Sequence, residues 1–262
     1  MEDVDAEGLE SGFVPPDPDE PPPLELWSAV GDVVPWGTAL LLLGWAVSFA
    51  LMAYRGDLAD STRMLAWGAS AAGAGADRGA WRLLASTFLH AGAAHVFFNA
   101  LSMLVFGPAL ERIFSSWGFA IVYAAGGCVA SEASVLWRGF RHPDSLSLSV
   151  GASGAIFALG GGLLAAAFRL RHRLAPGRAR ALAGAMLFLL AQGLVAGVTR
   201  HGTDNIAHAA GLATGLLLGL VVPISPRLGG EPTGLVTRLM GGLAALALAA
   251  ALALALRGGL SS

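Results

Sequence analysis

The stretch SVGASGAIFALGGG, residues 149–162, decides how this chain is read. A serine, Ser153, stands among small residues at the head of an apolar run. Such a hydroxyl is either a small packing residue between helices or a nucleophile that needs a base beside it. Gly151 and Gly154 flank it and let other backbone approach closely. A helix starting here would aim unpaired N–H groups at any oxyanion formed next to the serine. The spacing is not that of the soluble hydrolase elbow, which places glycine two residues after the serine; here that residue is Ala155.

Composition puts this run in a membrane. Of 262 residues, 55% are hydrophobic and only 13% are charged, about half the charge of an ordinary soluble domain. The mean hydropathy of +0.65 agrees. Residues 1–32 hold ten of the eighteen acidic residues and no basic one, so the remainder carries an excess of arginine, and lysine is absent throughout. The single cysteine, Cys128, excludes an intrachain disulfide framework and a cysteine-built zinc site.

Residues 1–33, acidic and proline-rich, read as a disordered tail and as neither a signal nor a transit peptide. A spanning helix needs roughly 20 apolar residues. Seven segments meet this: 34–54, 95–114, 117–137, 151–169, 181–199, 205–223 and 236–256. Residues 55–94, with Trp67, Trp81 and Phe88, read as an interfacial loop carrying short helices. Residues 138–150 read as irregular chain leading into the serine. The arginine cluster at 169–180 predicts a cytoplasmic loop, hence a cytoplasmic N-terminus with the long loop and the C-terminus outside.

The intramembrane polar residues carry the chemistry, because such groups are costly in lipid and face the bundle interior. His208 lies in NIAHAAGLATGLLLG, with Gly211, Gly215 and Gly219 following at intervals of three, four and four. That spacing makes one smooth helix face, and a helix such as the one bearing Gly160, Gly161 and Gly162 can pack closely on it. The imidazole then comes within hydrogen-bond reach of Ser153; as an isolated residue it reads equally as a satisfied core histidine. In HAGAAHVFFN, His95 and Asn99 are four apart and share a face. Both are donors suited to an oxyanion hole. His90 and His95 are also of a type that holds zinc, but no convincing third ligand accompanies them. Trp81-Arg82 and Glu111-Arg112 read as interface anchors and helix-end charges. Asp204, four residues before His208, is positioned to orient the imidazole.

Taken together, these residues resemble the rhomboid family of intramembrane serine proteases over residues 36–223. The likeness rests on Trp81-Arg82 in the first loop, on H-x4-H-x3-N at His90, His95 and Asn99, on G-x-S-G at Gly151, Ser153 and Gly154, and on A-H-x-x-G-x-x-x-G at Ala207, His208, Gly211 and Gly215. It implies an all-α polytopic membrane protein, with a rhomboid-like six-helix core at 34–223 and, within 224–262, a linker and one additional C-terminal transmembrane helix. It implies a Ser153–His208 dyad without an acidic third member, and an oxyanion hole from His95, Asn99 and the Ser153 backbone N–H. His90 would support that network, and the first loop would lie sideways in the outer leaflet. The serine would sit below the membrane surface, facing a water-filled cavity. Many members have Tyr four residues after the serine; here it is Phe157, which keeps a ring to stack on His208 but has no hydroxyl.

The activity so implied is endopeptidase cleavage in or near transmembrane segments of membrane-protein substrates. No cofactor or metal and no nucleic-acid partner is expected. Amino-acid usage suggests a GC-rich bacterium and its inner membrane. The alternative is a catalytically inactive rhomboid-like protein that binds or chaperones membrane clients; the intact dyad positions and both donors weigh against it.

Overall fold

The computed structural model describes residues 34–173, 204–225 and 233–262, with isolated positions between them (177, 180, 183, 184, 187, 191, 193 and 228). The expected tail at 1–33 lies outside the described residues, as does most of the expected fifth span at 181–199. The fold is that of an all-α polytopic membrane protein.

The first helix, α1 (Trp36–Arg55), follows Pro35 and has no local side-chain cap. Its first-turn N–H groups are capped from a distance. Glu111, only 2% exposed, accepts from the amides of Gly37 (3.0 Å) and Thr38 (2.7 Å) and from the Thr38 hydroxyl (2.7 Å). A fourth donor, the Ser116 hydroxyl, lies 2.7 Å away. A buried carboxylate is tolerable because donors fill its lone pairs. Glu111 is thus an internal cap and not the interface charge that the sequence suggests.

Beyond α1, the loop carries two short helices, α2 (Ser61–Ala66) and α3 (Trp81–Ala85). The next helix, α4 (Ala93–Arg141), has 49 residues, which would run about 73 Å if straight. It is not straight: Ser115, at φ 65° and ψ 166°, breaks it into arms 93–114 and 116–141. Leu110 and Val122, on different arms, would both lie within 3.6 Å of a Cβ added at Gly162. Twelve residues of unbroken helix would hold them far apart, so the arms fold back on each other.

The central helix is α5 (Ser153–Arg169), in which every residue from 154 to 163 is buried. Beside it runs α6 (Asn205–Val221). Each of these two has 17 residues, shorter than α1, α4 and α7, which are long and apolar enough to cross a membrane alone. The last helix, α7 (Leu235–Ser261), packs Gly241 on Trp117 and Gly259 on the Trp67 ring. One end of the bundle therefore gathers the start of α1, the break in α4 and the C-termini of α5 and α6. The other gathers the first loop, the N-termini of α5 and α6, and the end of α7. Outward-facing Phe97, Phe98, Leu101, Leu104, Leu243 and Leu246 give the bundle an apolar exterior suited to lipid.

Two expectations need correction. Residues 138–150 are not wholly irregular: α4 continues to Arg141, and β1 (Ser70–Ala72) pairs antiparallel with β2 (Ser147–Ser149), Ser70 opposite Ser149. The partner strand lies in the first loop, so nothing local announces the pairing. The first-loop aromatics are also not simply interfacial. Trp67 and Phe88 are buried, and the Trp67 Nε1–H donates to Asp57 at 2.9 Å.

Replacing Glu111 by Ala leaves the α1 amides without their acceptor, and the protein should lose about 1–3 kcal/mol of stability. Thermal unfolding of wild type and Glu111→Ala in the same detergent measures this; equal transition temperatures contradict the capping role.

Candidate active site

Two helix N-termini converge at the loop end of the bundle. Ser153 is the first residue of α5, and Gly151 sets its approach. Gly151 adopts φ 127°, a region that L side chains rarely enter. A Cβ there would also lie 2.7 Å from the His95 ring. Its N–H donates to the Ser86 carbonyl at 2.9 Å. Ala152, at the N-cap position, has no side-chain acceptor, so the first-turn amides of α5, including that of Ser153, receive no side-chain cap.

His208 lies in the first turn of α6, whose N-cap Asp204 accepts from the Ala207 amide at 3.1 Å. The glycine face predicted from spacing meets α5 backbone to backbone. Any Cβ at Gly211 would collide with the Gly154 carbonyl, and one at Gly215 with the Ala158 carbonyl. At Gly219 it would lie 2.9 Å from Gly162. On α5 the contacting positions are Gly154, Ala158, Gly161 and Gly162, a longer stripe than the three glycines singled out in the sequence. His208 Nε2 consequently sits 2.9 Å from Ser153 Oγ. The Phe157 ring stacks on the imidazole, centroids 4.1 Å apart and planes 4° from parallel.

The second pair of candidates lies on the first arm of α4. Asn99 is 7% exposed, and its Nδ2 has no hydrogen-bond partner among the described residues. It lies 3.9 Å from the Cβ position built on Gly151, the same point that approaches His95. His95, Asn99 and the entry to Ser153 therefore share one locality. Behind them His90 is fully buried, edge-on to His95 (5.1 Å) and to Trp45 (5.3 Å). Burial, and then the neighbouring His95, pushes the His90 imidazole down to about 3. It is a neutral buttress for the His95 ring.

Asp204 does not play the role the sequence suggested. Its carboxylate takes hydrogen bonds from Ser134, Arg138 and Ser149 as well as Ala207, while His208 Nδ1 has no partner among the described residues. Trp81-Arg82 also differs from an interface anchor. Arg82 donates twice to Asp77 (2.9 and 2.6 Å) and once to the Leu65 carbonyl (2.5 Å), and stacks on Trp81. It ties the first loop together, and it holds the Asp77 carboxyl below the usual carboxylate range. The residues that sequence reasoning missed are Ser134, Arg138 and Ser149. No spacing marks them, because their partner lies on another helix.

Comparison with known proteins points the same way. The family profile for the rhomboid domain matches residues 77–225, more than half of the chain. RHOMBOID-like protein 4 of Arabidopsis thaliana is 36% identical over 149 residues, covering 57% of this chain and 36% of that protein. Rhomboid protease GluP of Bacillus subtilis (strain 168) is 31% identical over 181 residues, covering 69% of this chain and 34% of that protein. RHOMBOID-like protein 6, mitochondrial, of Arabidopsis thaliana is 33% identical over 151 residues, covering 58% and 46%. The matches thus span under half of these relatives' own lengths. Fold and site geometry describe a helical membrane protein with a serine and a histidine in contact. The chain belongs to the rhomboid family.

Gly151→Ala must change the backbone or move His95, and displacement on the ångström scale at a reacting centre costs about 10²-fold. The rate of fluorophosphonate labelling of the purified protein should fall by that order while the melting transition persists. Labelling at the wild-type rate contradicts the double constraint on this glycine.

Proposed function

We propose that this protein is an intramembrane serine endopeptidase that cleaves peptide bonds in or near transmembrane segments of membrane-protein substrates. The observation that carries this reading is the 2.9 Å contact between His208 Nε2 and Ser153 Oγ at the uncapped start of α5. Within family membership, the positions of His95 and Asn99 support it further.

His208 Nε2 takes the proton from Ser153 Oγ as the oxygen attacks the scissile carbonyl carbon. The Phe157 ring fixes the imidazole plane for that transfer. Negative charge develops on the carbonyl oxygen and is met by the Ser153 backbone N–H, Asn99 Nδ2 and the His95 ring. Collapse of the tetrahedral species breaks the C–N bond, and His208 returns its proton to the leaving amine. Water, activated by the same imidazole, hydrolyses the resulting ester and restores Ser153. A helical substrate segment has its carbonyls hydrogen-bonded internally, so it must unwind locally before attack, and helix-weakening residues near the cut favour cleavage.

On this reading residues 34–223 form the protease core, 1–33 an acidic, proline-rich N-terminal tail, and 224–262 a linker with an added helix. The arginines at 169, 171 and 173 lie at the end of the bundle away from the dyad. With that end cytoplasmic, the N-terminus is inside, the dyad opens toward the outer leaflet, and a bacterial plasma membrane is the natural setting.

Fluorophosphonate labelling and cleavage of a transmembrane test substrate should both vanish in Ser153→Ala and in His208→Ala. Asn99→Ala should retain the fold and lose about 10²–10³ in turnover, as expected for one oxyanion donor. Indistinguishable behaviour of wild type and Ser153→Ala overturns the enzyme reading and leaves the client-binding alternative.

A further inference from the structure

Each partner of the dyad is delivered by a short segment that ends at it. β2 runs four to six residues ahead of Ser153, and Asp204 stands four residues ahead of His208. A single arginine holds both segments. From the second arm of α4, Arg138 Nη1 donates to the Leu148 carbonyl at 2.6 Å and to Ser147 Oγ at 3.2 Å. Its Nη2 donates to Asp204 Oδ2 at 3.1 Å. Ser134, one helical turn earlier and fully buried, donates to the same carboxylate oxygen. Ser149 of β2 approaches it at 3.4 Å. The other oxygen, Oδ1, caps α6 through Ala207 N–H at 3.1 Å.

We propose that the Asp204–Arg138 ion pair is a positioning device for the dyad. It fixes the backbone entering Ser153 against the backbone entering His208, with no hydrogen bond between the acid and the imidazole Nδ1, which has no partner among the described residues. The inference rests on the Ser153–His208 reading above and deepens it. Both charges are largely removed from water, with side-chain exposures of 23% and 14%, so the pair is less screened than a surface ion pair. The guanidinium fork is needed because one cation must serve three acceptors in fixed directions. The carboxylate is equally specific. One oxygen takes the Ser134 and Arg138 donors and the other takes an amide, so every group facing it is a donor. Asparagine would cap α6 well, but its NH₂ would then meet the Arg138 guanidinium, which cannot accept, donor to donor. Asp204→Asn therefore separates the cap from the bridge.

The test uses the full chain in detergent with a transmembrane substrate, with kcat expressed per fluorophosphonate-titrated site, so that unfolded molecules do not enter the rate. Asp204→Asn and Arg138→Gln should each lower per-site kcat about tenfold with KM little changed. The double variant should fall no further than the worse single one, because both break the same bridge. Ser134→Ala removes one donor and no charge; it should fold and lose about two- to tenfold. Wild-type per-site kcat in any of these variants, or losses that multiply in the double variant, overturns the positioning role. That result, obtained while Ser153→Ala is dead, sinks this inference alone. Wild-type turnover that does not depend on Ser153 sinks the reading beneath it.

Discussion

The structure depends on one contact, the backbone-to-backbone meeting of α5 and α6. At Gly211, Gly215 and Gly219 there is no room for a Cβ against Gly154, Ala158 and Gly162. In a bilayer the lipid is as apolar as the side chains, so helix association gains little from burying oil and depends on close van der Waals contact and polar ties. Small residues on both faces allow it. The ties stand at the two ends of α6. Asp204 caps its start, and Arg169 of α5 donates to the terminal carbonyls of Gly219 (2.8 Å) and Val222 (2.7 Å). Register and separation are thereby set independently, and the short reach from Ser153 to His208 is their joint result.

Several buried or half-buried charged side chains are satisfied by partners remote in sequence. Glu111 caps α1, Arg82 closes the first loop, and Arg138 joins β2 to the start of α6. Asn99 Nδ2 and His208 Nδ1 are buried and unpartnered among the described residues, as are both ring nitrogens of His90 behind them. An unsatisfied buried donor costs on the order of 1–3 kcal/mol. Such groups in a native fold call for an explanation. For Asn99 the proposed oxyanion supplies one, since the missing acceptor is the charge that forms only during reaction.

Much of this was legible in the sequence, for identifiable reasons. Six of the seven spans could be read because bilayer thickness imposes a length that hydropathy reveals, and their ends fall within about five residues of α1, the arms of α4, α5, α6 and α7. The meeting of Ser153 and His208 could be read because glycines at three- and four-residue intervals define a helix face. What was hidden depends on partners remote in sequence. The β1–β2 ribbon joins residues 70–72 to 147–149, and the carboxylate of Glu111 serves amides more than seventy residues away. The partners of Asp204 were hidden for the same reason, although the family resemblance implies a dyad without an acid. The nearness of Asp204 to His208 in sequence suggested a triad acid, whereas folding turns it toward Ser134 and Arg138, some seventy residues upstream.

The contrast between the two N-termini at the site follows from this division of labour. Helix α6 begins with a carboxylate that engages its first-turn amide and anchors it to α4. Helix α5 begins with Ala152, which offers no acceptor, after a glycine in a conformation that a side chain would strain. A capping side chain at 152 would stabilise α5 by about 1 kcal/mol by engaging the amides of Gly154 or Ala155, and on the proposed mechanism it would set an acceptor beside the Ser153 N–H that meets the oxyanion. Helices α4 and α7 also begin without a side-chain cap, but on the proposed reading the free N–H at the start of α5 has a chemical use. The chain recovers the lost definition through Gly151, whose amide is tied to Ser86, and through the strand pairing just upstream. The start of α5 is thus held by the residues before it, which on the proposed reading leaves its own first turn open to substrate.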